Sequence, residues 1–374
     1  MTDQTLKDRH EKFMKAALGF ARKGLGKTSP NPAVGAVIVR KGQVVAAGFH
    51  RKAGAPHAEV EALSQLKGNA RQGDTLYVTL EPCNHFGRTP PCTEAILEKR
   101  IRKVVVGMKD PNPNVTGGGC DYLSGHGVEV VTGVLEEECR RLNEWFVTYV
   151  SKARPFVIAK TAMTLDGWTA TSTGHSRWVT NERSRQWVHR LRNQVDAVMV
   201  GVGTVAADDP LLNTRLTKRR GRDPVRVIVD THLSIPRNAR VLGLPGDSET
   251  LIAVSKNVAT RRLKKLHGKE VTFLMCPEKE GRIDLRALMG LLGKRSIASV
   301  LLEGGATLMG AMIRERLVDK FCIFKAPKIL GGSDGRPMAL GKGPSRMDQS
   351  VVLKDIRIRR FGEDVLIEGY PRYP

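Results

Sequence analysis

Cysteine is scarce in this chain: six in 374 residues do not make a disulfide framework. Cys120, Cys139, Cys276 and Cys322 read as free thiols of a reducing compartment. Long apolar runs are missing too. Nothing approaches the roughly 18 consecutive apolar residues of a membrane span. The opening residues, MTDQTLKDRHEKF, are polar and hold no apolar signal-peptide core. The chain is therefore expected to be cytoplasmic, and the glycosylation sequon Asn114-Val115-Thr116 to be idle. Acid is also short, with 38 Asp+Glu against 61 Lys+Arg and a net charge of +23. The deficit is uneven. Residues 1–150 carry 21 basic and 16 acidic side chains, a net of +5, and the remainder carries 40 and 22, a net of +18. The densest basic stretches, Lys218–Arg226 and Arg261–Lys269, read as a solvated loop and helix face.

What is present begins with length. At 374 residues and 41% hydrophobic content the chain is too long for one growing core, so two domains are expected. The chemistry concentrates between His57 and Cys92. PHAEVEAL puts His57 and Glu59 in the first turn of a helix, near its positive end. TLYVTLEPCNHFGRTPPC is a strand, Leu76–Leu80, and then a loop carrying Cys83 and Cys92. One imidazole and two thiolates make three ligands for a tetrahedral zinc, and an open fourth position marks a catalytic site. A metal held this way lowers the pKa of its water. Glu59 is the carboxylate left to move protons. H-x-E followed by a P-C pair is the pattern of zinc deaminases, although eight residues separate Cys83 from Cys92 here, more than the usual spacing. A deaminase acting on polynucleotide would carry its basic excess around the zinc. The +5 of the first 150 residues favours a small substrate instead.

Around that stretch, residues 11–23 show helical periodicity. Strands are expected at Val34–Val39, Val44–Phe49, Leu76–Leu80, Val104–Gly107 and Val128–Val131. Helices are expected from His57 to about Leu66, from Cys92 to about Lys99, after Gly119, and over Glu136–Val150. The boundary falls at Ser151–Pro155, giving domains 1–150 and 151–374. The second half restarts with a strand, Phe156–Ala162, a turn at Thr164–Gly167, and a helix from Asn181, its N-cap, to about Arg192. Strands recur at Ala197–Gly201, Val225–Val229, Thr250–Val254, Val271–Met275 and Ser299–Leu302, and the end from Val318 is strand-rich. Both halves read as α/β layers.

Two glycine turns lie in the second half. Gly201-Val202-Gly203-Thr204 lacks the third glycine of a dinucleotide fingerprint. Leu301–Leu308 is strand, Gly304-Gly305 turn, helix; it suits a phosphate, and equally an ordinary strand–helix turn. Gly26-Lys27-Thr28 is not a P-loop, because Ala21 stands where the first glycine is needed.

Over nearly its whole length the chain resembles the bifunctional deaminase–reductases of riboflavin biosynthesis. The resemblance rests on TSPNPAVGAVIV, PHAEVEAL, TLEPCNHFGRTPPC with its long cysteine spacing, KTAMTLDG, SRWVT, VGVGTVAADDPLLNTR, LLEGGATLMGAM and APKILGG. It implies a cytidine-deaminase-like α/β/α domain and a dihydrofolate-reductase-like α/β domain. It implies zinc-dependent deamination of a diaminopyrimidinone ribosylamino phosphate, then NADPH-dependent reduction of the ribosyl group to ribityl. His57, Cys83 and Cys92 are the implied zinc ligands and Glu59 the proton carrier. Ala162, Trp178, Thr204, Asp208, the weaker candidate Thr231, and the turn and helix start Gly305, Ala306, Thr307, Leu308, Met309, Gly310 and Ala311 are implied cofactor contacts. Ser176, Arg192, Leu212, Arg215 and Glu303 are implied substrate contacts. Asn31 is expected to orient the pyrimidine; His85 reads equally as orienting or as a loop residue. Asp208 and Lys160 are open candidates for proton handling in the reduction. No nucleic-acid or membrane partner is expected, and a homo-oligomer through the reductase domain is left open. Two other readings stand beside this one: a nucleic-acid deaminase with an appended binding domain, and a deaminase with a regulatory nucleotide-binding module.

Overall fold

The computed structural model describes residues 3–86, 90–113, 118–217, 221–243 and 248–374. The sequon at Asn114 and the first three residues of the basic stretch at Lys218 lie outside them. The chain divides into two compact units, 1–153 and 154–374. The helix Glu144–Lys152 runs past residue 150, where the sequence pattern had placed the first domain's end.

In the first unit the opening helix covers Asp3–Ala21, eight residues earlier than its apolar periodicity. Phe13, Met14, Ala17, Leu18 and Ala21 form its buried stripe, at the spacing of one helical face. Residues 4–8 are exposed, so they leave no hydrophobic signal. Five strands follow: β1 (Gly35–Arg40), β2 (Gln43–Phe49), β3 (Thr75–Leu80), β4 (Lys103–Met108) and β5 (Glu129–Val131). Their order is β2-β1-β3-β4-β5. β1 is antiparallel to β2 and β3; β3, β4 and β5 run parallel. Every residue of β3 is buried, as both faces of a central strand demand.

The expected helix over 136–150 is two helices, Glu136–Leu142 and Glu144–Lys152. Asn143 separates them. It is 3% exposed, and its amide brackets Ala33, accepting from the Ala33 N–H at 2.8 Å and donating to the Ala33 carbonyl at 3.1 Å.

The second unit holds nine strands in one sheet: β6 (Phe156–Met163), β7 (Ala197–Gly201), β8 (Val225–Val229), β9 (Thr250–Ser255), β10 (Thr272–Cys276), β11 (Ser299–Glu303), β12 (Lys320–Lys325), β13 (Val352–Phe361) and β14 (Asp364–Arg372). Their order is β10-β9-β8-β7-β11-β6-β12-β14-β13. The first seven in that order are parallel, and the last two join antiparallel. The chain starts at β6, crosses to β7, winds outward to β10, and returns to insert β11 between β7 and β6. That reversal makes a crevice at the carboxyl ends of β6, β11 and β7, where open parallel sheets bind ligands. The helix Glu182–Arg192 begins at Asn181, whose side chain accepts from the Ser184 N–H at 3.1 Å. Among the described residues no helix is long and apolar enough to cross a membrane.

Candidate functional sites

The first site forms where the helix Ala58–Ser64 meets the loop after β3. His57 is the N-cap of that helix, not part of its first turn. Its carbonyl accepts the first helical bond from Glu61, and its ring lies off the helix end against the two cysteines. The helix can approach β2 closely because residue 48 is glycine; a Cβ there would stand 2.3 Å from the Ala58 carbonyl oxygen. Glu59, one residue into the helix, is 3% exposed. Cys92 opens the helix Cys92–Glu98.

His57 Nδ1 lies 3.2 Å from Cys92 Sγ and 3.4 Å from Cys83 Sγ. The three donor atoms fall within 4.8 Å of one another. Tetrahedral bonds of about 2.0–2.3 Å put neighbouring donors at comparable separations, so one nitrogen and two sulfurs here fit zinc. The electrostatics agree. Hydrogen bonding to Cys92 lowers the Cys83 thiol well below its ordinary value, against burial, with His57 assisting. The same contact, and then burial, raise Cys92. Burial raises the Glu59 carboxyl to about 7, opposed by the charge of His57. Crowded negative charge of this kind is what a divalent cation relieves.

Two neighbours were not read from sequence. His50 is buried beside His57, ring centroids 5.5 Å apart, with Asn31 Nδ2 3.5 Å from its Nε2. The Glu81 carboxylate accepts from the Asp110 and Cys120 N–H groups, at 3.0 and 2.9 Å. It thereby ties two segments to the strand end that carries Cys83. His85 and Asn31 are exposed.

The second site is a cavity of about 980 Å³ along the carboxyl ends of the parallel strands. Ala162, Ser176, Trp178, Thr204, Asp208, Leu212, Thr231, Arg192, Glu303 and Lys160 all line it, as do Gly305–Met309 and Ala311. Two expected members are absent from the wall. Gly310 packs the back of its helix, where a Cβ would stand 2.0 Å from the Leu340 carbonyl oxygen. Arg215 is exposed, and its Nη1 donates to Asn213 Oδ1 at 2.8 Å. Gly304 and Gly305 turn with φ of +78° and +81°, the left-handed region where a side chain is costly. They deliver the chain to the N-terminus of the helix Ala306–Arg314, whose free N–H groups suit a phosphate. A dinucleotide fits that cradle. Arg185, also unread in the sequence, lines the cavity and stacks on Trp178 at 4.3 Å.

The interior of the cavity is charged. Arg192 Nε and Nη2 donate to the two Glu303 oxygens at 2.6 and 2.9 Å, and Nη1 donates to the Asn213 carbonyl at 3.0 Å. Burial pushes the Glu303 carboxyl up, but the Arg192 guanidinium outweighs it, with help from Lys160 and His189, and leaves it lowered to about 2. Lys160 is paired in register with Glu303 across β6 and β11. Burial lowers its ammonium, and Glu303 partly restores it.

Comparison with known proteins matches each half of the chain to a family model. The cytidine and deoxycytidylate deaminase zinc-binding region matches residues 7–108, and the RibD C-terminal domain matches residues 155–367. The riboflavin biosynthesis protein RibD of Actinobacillus pleuropneumoniae is 42% identical over 95% of this chain and 94% of its own length. This chain belongs to the RibD family. RibD of Escherichia coli is 38% identical over 96% of the chain and 98% of its own. Acinetobacter baumannii RibD superimposes with a TM-score of 0.86 at 36% identity, covering 98% of this chain and 99% of that one. A diaminohydroxyphosphoribosylaminopyrimidine deaminase/5-amino-6-(5-phosphoribosylamino)uracil reductase from Thermotoga maritima gives 0.83 at 38% identity, covering 98% and 99%. As a RibD protein the chain is a bifunctional enzyme of riboflavin biosynthesis, a zinc-dependent deaminase joined to an NADPH-dependent reductase. Its units have the cytidine-deaminase-like and dihydrofolate-reductase-like folds.

Proposed function

We propose that His57, Cys83 and Cys92 hold the zinc and that Glu59 carries the protons of the deamination. The observation behind this is the convergence of three donor atoms within 4.8 Å beside a carboxylate 3% exposed. Zinc in such a set supplies Lewis acidity and an acidified water. A Glu59 carboxyl at about 7 can take a proton and return it near neutral pH, to the ring nitrogen and to departing ammonia. Asn31, braced by His50, orients the pyrimidine. The substrate is the one named for the Thermotoga relative, a phosphoribosylaminopyrimidine carrying the amino group to be lost. A small molecule suits a unit with little of the molecule's excess positive charge.

In the second unit the cofactor lies along the carboxyl ends of the strands. The Gly304-Gly305 turn and Ala306–Met309 hold its diphosphate; Ala162, Trp178, Thr204, Asp208 and Thr231 flank it. NADPH supplies the hydride that converts ribosyl to ribityl. Ser176, Leu212 and Glu303 border the sugar, with Lys160 Nζ holding a proton nearby. Arg192 keeps one free N–H on each terminal nitrogen beyond its three bonds, enough for a two-point grip on phosphate. Arg215 adds a second guanidinium from the rim.

Cys92→Ser tests the metal assignment. Bound zinc should fall from about one per chain to near zero, ammonia release should stop, and reduction of supplied deaminated substrate should persist. Full zinc with normal ammonia release would refute the ligand set.

A further inference from the structure

We propose that Arg282 reads the extra phosphate that distinguishes NADPH from NADH, with the Thr231 hydroxyl as its partner. This rests on the cavity being the cofactor site, as above. The reacting end lies at Lys160 and Glu303, on β6 and β11. Thr231 follows β8, three strands from β6 in the sheet order, and the hairpin that pairs Glu278–Lys279 with Arg282–Ile283 packs on β9, one strand further. At about 4.8 Å per strand that end is about 14–19 Å from Lys160, with β11 and its glycine turn between them. A dinucleotide laid along this edge brings its adenosine ribose to Thr231 and Arg282.

The local chemistry at that end distinguishes a phosphate from a hydroxyl. In dinucleotide folds an acidic residue closing such a strand binds the ribose 2′-hydroxyl, whereas a nearby arginine accommodates a 2′-phosphate. Asp230 stands in the acidic position, but it is 1% exposed and spent internally. Its carboxylate accepts from the Ser234 hydroxyl at 3.0 Å and from the Ile235 N–H at 2.8 Å. The Thr231 hydroxyl oxygen accepts from the Ile283 N–H at 3.3 Å, so its own proton is left to donate. That bond also fixes Thr231 beside Arg282, and both line the cavity.

Arg282 is placed at some cost. It sits opposite Lys279 in the hairpin, and like charges across a pair are destabilising. Lys279 turns away to Glu315 at 2.7 Å. Among the described residues no carboxylate pairs with the Arg282 guanidinium. A free guanidinium matches a phosphate through parallel hydrogen bonds.

The test is calorimetric binding of adenosine 2′,5′-bisphosphate and of 5′-AMP to the full-length zinc-loaded chain, and to its Arg282→Gln and Arg282→Lys variants. Zinc content and melting temperature confirm the fold. The native chain should prefer the bisphosphate by about ten- to a hundredfold. Arg282→Gln should lose most of that preference by weakening the bisphosphate alone, and Arg282→Lys should keep part of it. An Arg282→Gln variant that retains the native preference overturns the assignment of Arg282. A native chain that binds neither nucleotide overturns the cofactor cavity itself.

Discussion

At the scale of single residues, Glu59 is a buried acid and Glu303 a partly buried one, shifted in opposite directions by what surrounds them. Glu59 has burial against it and one imidazole for it, and sits at about 7; Glu303 has a two-point guanidinium and sits at about 2. Glu59→Gln should cut ammonia release by about a hundred- to ten-thousandfold, with zinc content and reduction unchanged. Loss of both activities in a folded, zinc-replete variant would contradict that division. Glu303→Gln leaves the Arg192 charge unpaired, at a cost of about 3–5 kcal/mol, and should lower the melting temperature. A carboxyl depressed from about 4.3 when unfolded stabilises the fold above that pH and loses its effect as pH falls towards 2. The melting difference between native chain and variant should thus be constant from pH 7 to 5 and shrink below about pH 4.3. A difference that grows on acidification would be the wrong sign. The convergence of His57, Cys83 and Cys92 was legible because PHAEV, EPC and PPC each put a donor residue in a local context with its own meaning. The Arg192–Glu303 pair was not. Its members are 111 positions apart, and only the insertion of β11 beside β6 brings them together.

Secondary-structure elements were legible where their partners lie in their own pattern. Strands β7 and β8 match their expected bounds to the residue, because each is a short apolar run closed by a turn. Asn143 was misread because the feature that ends the helix there is Ala33, far away in sequence. The short strand Trp168–Ala170 was missed for the same reason, being defined by its pairing with Arg336–Pro337. The Gly304-Gly305 turn was legible as a shape; its local pattern alone suited a phosphate and an ordinary strand–helix turn equally, and the cavity beneath it supports the phosphate reading. Gly305→Val puts a β-branched residue at φ +81°, with its Cβ 3.1 Å from Thr204 Oγ1. Steady-state kinetics should show the KM for NADPH raised about tenfold and deamination untouched. An unchanged KM would mean that the turn holds no phosphate.

For the whole molecule, each unit carries a separate site. An equimolar mixture of Glu59→Gln and Gly305→Val chains, each defective in a different step, should therefore recover the two-step conversion at limiting NADPH, followed as NADPH consumed from the diaminopyrimidine substrate. Failure of the mixture, with each single activity verified, would mean that both steps need one intact chain. The sheet order also bears on synthesis. The first unit closes once residue 143 can reach Ala33, so it can fold while the rest is still being made. The second unit has no such early closure. Its first strand, β6, ends at Met163, and both of its neighbours, β11 and β12, come from after residue 298. From Met163 to the start of β11 at Ser299 the ribosome adds 136 residues, about 7–27 s at typical rates of 5–20 residues per second. For that interval a strand of eight mostly apolar residues has neither edge paired, and it is the part of the nascent chain that holdase chaperones have most reason to cover.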